Sequence, residues 1–263
     1  MFLIVYLDKI KKISFKFNMK YLLAFLLTVY TSTCLAYSDL DVAAAKRGEN
    51  VINGDLSGAD LSGCNLSGRD FSGTTFAEAR LTKVNFDNCN FKGASFYRTS
   101  LLQSSMRNCK FQGATLNYSN AAGADLTNAD FSKANLYRSN FTRAKLINAL
   151  FTGADSQECN FDSAACDYAD FVSANLNNSW FRQTKLVKAV MRNGNLYCCN
   201  FSQADLSETD MRGCNLAKAN FNRAKLDGTK LDRAILREAD LRNASMKNTE
   251  FKRVFFLNEA ITK

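Results

Sequence analysis

The side chains of this sequence that could take part in catalysis are cysteines and carboxylates. The 263 residues include nine Cys, 25 Asp and Glu, and no His. Without histidine the commonest general base and metal ligand is missing, so neither a Ser-His-Asp nor a Cys-His arrangement can form. Asp205, Glu208 and Asp210 are near neighbours, but the sequence around them predicts no loop that would enclose them. The sequence contains no Cys-x-x-Cys pair and no glycine-rich phosphate loop. It therefore predicts neither an enzyme nor a metal or cofactor site.

Most of the cysteines follow a five-residue frame that runs through most of the chain. From Val51 to Phe256, 38 of 42 positions spaced by five are Leu, Phe or Met. We call these positions central; the four exceptions are Val51, Ala121, Ser156 and Cys166. The residue two places before the central one is small at 38 of 42 units, and Asp or Asn directly precedes it at 23. The frame is an internal repeat and predicts a repetitive architecture.

Six cysteines occupy the small position of this frame: Cys64, Cys89, Cys109, Cys159, Cys199 and Cys214. There they are interchangeable with alanine, so the frame favours buried thiols that act as small hydrophobic side chains. Cys89 and Cys109 are 20 residues apart and would lie on neighbouring coils, where a disulfide stays possible.

A period of five fits neither an amphipathic helix, which needs 3.6-residue spacing, nor a half-buried strand, which alternates by two. It fits a chain that turns a corner every five residues, with the central and small residues inward and the other three outward. Four such sides close a coil of 20 residues, and successive coils stack as short parallel strands.

Units such as Ala59-Asp60-Leu61-Ser62-Gly63 and Ala204-Asp205-Leu206-Ser207-Glu208 resemble the A-(D/N)-(L/F)-X-X repeat of the pentapeptide-repeat family. The resemblance covers residues 50–256. It implies an all-β fold, a right-handed quadrilateral parallel β-helix of about ten coils over residues 51–256. Residues 37–50 are predicted to form a short helix that caps the first coil, and residues 257–263 a C-terminal cap or tail.

The first 36 residues lie outside the repeat and have the pattern of a secretory signal peptide. A basic start is followed by the apolar stretch from Tyr21 to Tyr30 and by small residues that end at Ala36. We expect a bacterial protein exported to the periplasm or the medium, with Met19 as a possible true start. Two alternatives stay open, a retained membrane anchor and acylation of Cys34.

Residues 20 apart share a face of a 20-residue coil, so the exterior can be predicted. One face combines exposed tyrosine with arginine, the composition of a binding surface. Its residues are Tyr97, Arg98, Tyr118, Tyr137, Arg138 and Tyr197. The alternative is that stacked tyrosines only stabilise the β-ladder.

A second face carries a basic stripe toward the C-terminal end. Its residues are Lys133, Arg192, Arg212, Arg233, Lys252 and Arg253. The alternative is that these charges only keep the rod soluble. At the end of the chain, Phe255, Leu257 and Ile261 form an apolar cluster, which predicts either a cap or an end-to-end homodimer contact.

These features favour a non-enzymatic, exported scaffold that binds an unknown protein through one face. Some members of the resembled family mimic DNA, bind type II topoisomerases and protect them from quinolones, which is the first alternative. The net charge of +9 and the signal peptide oppose it, because a DNA mimic should be acidic. The second alternative is adhesion of the basic stripe to anionic envelope surfaces. Nucleic acid is not an expected partner, and the membrane is one only if the N-terminal segment is retained.

Overall fold

The computed structural model describes residues 39–261. The chain divides into two units, residues 1–40 and residues 41–263. The predicted signal peptide, residues 37 and 38 of the predicted cap and the last two residues of the tail lie outside the described range. Within it, residues 39–46 are helical and Leu257–Glu259 form a 3₁₀ helix. Between these helices the strands are single bridging residues.

The bridges form four parallel columns with a constant register. From Asp55–Thr75 to Ile235–Phe255, every fifth residue pairs with the residue 20 places further along the chain. Four bridging residues per 20-residue turn define a four-sided parallel β-helix. The fold that the five-residue frame predicts is therefore the fold observed.

The backbone hydrogen bonds explain why Asp or Asn so often precedes the central residue. In the unit 125–129, the first, second and fourth N–H groups donate to carbonyl oxygens of adjacent coils at 2.7–2.9 Å. The N–H of Ala129 donates across the corner to Leu126 O at 3.0 Å. The N–H of Thr127 then donates to Asp125 Oδ1 at 3.2 Å. An Asx side chain thus satisfies the one donor of the unit that no carbonyl accepts.

The second residue after the central one adopts a left-handed conformation. Gly58 and Gly63 have φ of 67° and 73°, a conformation that costs glycine little. Tyr118 and Arg138 occupy the same place with φ of 60° and 57°. Non-glycine residues pay roughly 1–2 kcal/mol for this conformation, so the stacking of the coils imposes it on them.

Among the stacked Leu, Ala and Cys side chains of the core are two columns of phenylalanine on opposite sides of the coil. The rings of Phe131, Phe151 and Phe171 stack with centroids 5.0 and 4.6 Å apart. Phe161 and Phe181 stack at 4.8 Å in the facing column. Rings of the two columns meet edge to face, for example Phe151 and Phe161 at 5.9 Å, an arrangement that aromatic rings prefer.

The four exceptional central residues are all buried. Ala121, Ser156 and Cys166 have 0% exposure, and the bridges continue past them in the same register. Ser156 and Cys166 belong to opposite sides of one coil, and the hydroxyl of Ser156 has no hydrogen-bond partner among residues 39–261.

The two ends of the second unit differ from the coils between them. At the N-terminal end Ala45 is buried, Val42 packs against the core, and Asp41 Oδ2 accepts a hydrogen bond from the N–H of Asp55 at 2.8 Å. At the C-terminal end the register changes by one residue, because Asp240 pairs with Ile261. The five-residue frame therefore ends with the 3₁₀ helix.

Candidate functional site

Three of the predicted face residues form one aromatic cluster, which we call the tyrosine corner: Tyr97, Tyr118 and Tyr137. The rings of Tyr97 and Tyr118 meet edge to face with centroids 5.9 Å apart, and those of Tyr118 and Tyr137 meet in the same way at 5.7 Å. Tyr118 projects furthest, with 42% of its surface exposed. Three consecutive coils thus supply a continuous aromatic surface.

Two arginines and a glutamate surround the tyrosine corner. The guanidinium of Arg98 lies 5.1 Å from the ring centre of Tyr97, and that of Arg138 lies 5.0 Å from that of Tyr137. Glu158 accepts hydrogen bonds from Arg138 Nε at 2.6 Å and from the Tyr137 hydroxyl at 3.2 Å. These contacts hold the rings in place before any partner binds, which reduces the ordering cost of association.

The same contacts shift the titration of the groups involved. The pKa of Tyr137 is raised by burial and by the hydrogen bond to Glu158. The pKa of Glu158 is lowered, chiefly by the hydrogen bond from Arg138. With these two pKa shifts, Tyr137 stays neutral and Glu158 stays ionised throughout the neutral pH range.

Tyr197 does not join this cluster. It occupies the same place in the repeat as Tyr137, three coils further along. Asn and Gln side chains, not tyrosines, fill this place in the two coils between them. Tyr197 instead lies beside Lys218, whose pKa is raised first by Glu238 and then by Tyr197. The predicted face is therefore one cluster of three tyrosines and a separate fourth.

The basic stripe is also divided. Arg192, Arg212 and Arg233 lie on successive coils and, with Asn193, Gly213 and Asp232, line a depression of about 320 Å³. Lys252 and Arg253 follow on the next coil, since the N–H of Arg233 donates to Lys252 O at 3.1 Å. Lys133 is separated from Arg192 by two coils that carry uncharged residues at these places.

The predicted C-terminal cluster is exposed. Phe255, Leu257 and Ile261 have 53%, 38% and 45% of their surface exposed. The sequence prediction missed Phe256 as part of it, because the frame makes Phe256 a central residue. Its ring is 38% exposed, and the guanidinium of Arg237 lies 4.0 Å from its centre.

Two half-buried ion pairs were also missed. Arg107 Nε donates to Asp87 Oδ2 at 2.9 Å, and Arg182 Nε donates to Asp162 Oδ2 at 2.9 Å. In both pairs the aspartate directly follows a central residue and the arginine stands 20 residues later. That 20-residue spacing of opposite charges is the sequence signal that could have identified them.

The described part of the chain holds no group of His, Cys, Asp and Glu side chains arranged to bind a metal ion. None of the helices within residues 39–261 has the length and apolar character needed to cross a membrane.

The carboxylates that the sequence singled out serve the fold. Asp205 accepts a hydrogen bond from the N–H of Ser207 at 3.1 Å, and Asp210 accepts one from Arg212 Nε at 2.8 Å.

Comparison with known protein families gives two matching descriptions. The description "Pentapeptide repeat region" matches residues 79–145. The description "Pentapeptide repeats (8 copies)" matches residues 55–93, 139–178, 174–213, 195–233 and 214–253. The chain matches no curated protein sequence.

Among solved structures, the chain is similar to HetL from the cyanobacterium Nostoc sp. strain PCC 7120, a pentapeptide repeat protein involved in heterocyst differentiation regulation. The two are 25% identical with a TM-score of 0.63, over 84% of this chain and 93% of HetL. A trypsin-treated form of QnrB1, a plasmid-mediated fluoroquinolone resistance protein, is 22% identical with a TM-score of 0.42, over 66% of this chain and 87% of QnrB1.

Proposed function

The chain belongs to the pentapeptide-repeat family, and we propose that it is a non-enzymatic, exported scaffold that binds another protein through the tyrosine corner. Proteins of this family fold as right-handed quadrilateral β-helices. The finer architecture that we propose is about ten coils over residues 51–256, with a helical cap in residues 37–50.

The observation that carries this proposal is the ordered tyrosine corner. Tyrosine and arginine are enriched at protein interfaces, where large and rigid side chains contribute contact area at a small entropic cost. Here Arg98 and Arg138 lie beside Tyr97 and Tyr137, so an apolar centre is bordered by charged groups. A corner of a regular rod offers such a surface without any loop.

A protein partner is favoured over a purely structural role by the exposure of Tyr118. A tyrosine that served only to stabilise the β-ladder would gain most by lying flat between its neighbours. Tyr118 instead stands at a left-handed position with φ of 60° and keeps 42% of its surface exposed. Its contacts with Tyr97 and Tyr137 fix the ring in a position where a partner can reach it.

The proposed function is tested by binding measurements on the partner that co-purifies with the intact chain. We expect the triple variant Tyr97→Ser/Tyr118→Ser/Tyr137→Ser to lose that partner. The control is Tyr168→Ser, because Tyr168 is a tyrosine with 54% exposure on another corner. Equal loss in both variants, or retention in the triple variant, would refute the tyrosine corner as the contact surface.

Export is part of the proposal and rests on the sequence of residues 1–36 alone. Mass spectrometry of the native protein should find a mature N-terminus at Tyr37 in the periplasm or the medium. An uncleaved chain in the cytoplasm would contradict export and favour the topoisomerase alternative, which the positive net charge opposes.

We also propose that the C-terminal end is a homodimer contact. The support is that Phe255, Phe256 and Ile261 are 53%, 38% and 45% exposed at the open end of the β-helix, where apolar side chains gain by being covered. Sedimentation of the double variant Phe255→Ser/Ile261→Ser, compared with that of the unchanged chain, tests this proposal. The unchanged chain should be a dimer and the variant a monomer. The same oligomeric state in both would refute the homodimer contact.

A further inference from the structure

The depression on the basic stripe has a composition that neither the fold nor the tyrosine corner explains. It measures about 320 Å³ and is lined by Arg192, Asn193, Arg212, Gly213, Asp232 and Arg233. Its lining therefore carries three positive charges and one negative charge. An excess of positive charge in a concave surface attracts small anions.

The residue in the middle of the depression is a glycine. Asn193, Gly213 and Arg233 occupy the same place on three successive coils. Gly213 has φ of 70° and contributes no side chain, and the side-chain oxygen of Asn193 lies where a Cβ of residue 213 would stand.

The three arginines differ in how their guanidinium groups are used. Arg212 forms a bidentate ion pair with Asp210, in which Nε donates to Oδ1 at 2.8 Å and Nη2 donates to Oδ2 at 2.6 Å. Arg192 Nε lies 3.8 Å from Asp210 Oδ2, and Arg233 Nε lies 3.9 Å from Asp232 Oδ2. Both distances are longer than a hydrogen bond allows. Within residues 39–261, Arg192 and Arg233 therefore keep donors that no carboxylate accepts by hydrogen bonding.

We propose that this depression binds a tetrahedral oxyanion, a phosphate or sulfate group, between Arg192 and Arg233. The two arginines belong to coils on either side of Arg212, roughly 10 Å apart along the axis at the usual strand spacing. Their long side chains are about half exposed, at 49% and 65%, and can close on a ligand between them.

A tetrahedral anion suits this arrangement better than a carboxylate does. A carboxylate has two coplanar oxygens, which a single guanidinium satisfies, as Asp210 and Arg212 show. Phosphate and sulfate present oxygens in several directions and can accept from two guanidiniums on opposite sides. Asp232 lies in the lining and weakens the attraction, so we expect a dissociation constant on the order of 1 mM.

The test is an NMR titration of the ¹⁵N-labelled full chain with inorganic phosphate, against sodium chloride at equal ionic strength. The Nε–H signals of Arg192 and Arg233 should shift and saturate with phosphate and not with chloride. The variant Arg192→Gln/Arg233→Gln should bind phosphate at least roughly tenfold more weakly, because it loses charge-assisted hydrogen bonds. The matched control is Arg223→Gln, which stands at the same place in the repeat on another face, with φ of 59° against 60° for Arg233.

A second experiment distinguishes a free phosphate ion from the phosphate of a lipid headgroup. The full chain is sedimented with vesicles of phosphatidylcholine containing phosphatidic acid, and with vesicles of phosphatidylcholine alone. Saturation by inorganic phosphate supports a free anion. Binding to phosphatidic acid vesicles without a response to inorganic phosphate, and its loss in the double variant, supports a lipid headgroup. Absence of both responses, or responses unchanged in the double variant, would overturn the proposal. None of these outcomes depends on the tyrosine corner.

Discussion

The hydroxyl of Ser179 donates a hydrogen bond to the main-chain oxygen of Ser156 at 2.8 Å and accepts one from the N–H of Cys159 at 3.0 Å. The hydroxyl of Ser156 itself, at the centre of the core, has no partner among residues 39–261. Two buried serines, joined by a hydrogen bond from the side chain of Ser179 to the main chain of Ser156, are thus expected to have opposite effects on the stability of the coil.

Replacement of each serine by alanine should reveal this difference. Ser156→Ala removes a buried hydroxyl without a hydrogen bond and should stabilise the chain by about 1 kcal/mol. Ser179→Ala leaves a buried N–H and a carbonyl without this partner and should destabilise it by about 1–3 kcal/mol. Thermal unfolding followed by circular dichroism measures both. A lower midpoint for Ser156→Ala would show that its hydroxyl has a partner.

The Asp87–Arg107 pair should make stability depend on pH. Burial alone would raise the pKa of Asp87, but its hydrogen bonds with Arg107 and Ser105 outweigh this and lower the pKa below the ordinary 3.8. A carboxyl whose pKa is lower in the folded state stabilises the fold above its unfolded pKa. That contribution is lost as the pH falls through the folded pKa.

Asp87→Asn should therefore destabilise the chain at pH 7 by about 1–2 kcal/mol, since a charged hydrogen bond to Arg107 becomes a neutral one. The difference from the unchanged chain should shrink below about pH 4. The control is Asp60→Asn, whose carboxylate lies 3.5 Å from Arg80 and is 53% exposed, and which should change the unfolding midpoint less. If Asp87→Asn changed the free energy of unfolding equally at pH 7 and below about pH 4, the charge of Asp87 would not be the source of the stabilisation.

The cysteines should fall into two classes of reactivity. Burial raises the pKa of Cys89 to about 11 and that of Cys214 to about 12, so few thiolates form near neutral pH. Cys64 and Cys198 are only partly buried. In the native chain a thiol reagent should modify Cys64 and Cys198 quickly, and Cys89 and Cys214 only on unfolding.

Peptide mapping after brief labelling tests this, with Cys64→Ser/Cys198→Ser as the control that should suppress the fast labelling of both positions. Rapid labelling of Cys89 in the folded chain would mean that its coil opens readily.

The sequence predicted the coil because its signal repeats in every unit. A Leu or Phe and the small residue two places earlier can point inward in every unit only if the chain turns every five residues, because five is odd and a straight strand would direct successive units to opposite faces. The preference for Asp or Asn was noted without its cause, which is the hydrogen bond from an N–H such as that of Thr127 to Asp125. That cause depends on the corner geometry, which the repeat pattern alone does not specify.

The surface was predicted less completely, because contacts between side chains depend on the length and conformation of the side chains as well as on their register. The 20-residue spacing places Tyr137 and Tyr197 on one face, but the two coils between them prevent contact. Tyr118 stands one place further along its unit than Tyr97 and Tyr137, and its ring nevertheless fits between theirs. The frame shows a glycine at position 213 but could not show that the Asn193 side chain lies over it, since this depends on a side-chain conformation.

The most direct test of the tyrosine corner is site-specific photo-crosslinking of the full chain in its source organism. Benzoylphenylalanine replaces Tyr118 in one strain and Tyr168 in another, so that both probes stand at left-handed positions with φ of 60° and 61°. We predict one crosslinked protein from position 118 that is absent from position 168 and that disappears when Tyr97 and Tyr137 are changed to serine. No crosslink at position 118, or the same crosslinks at both positions, would contradict a protein contact surface at the tyrosine corner.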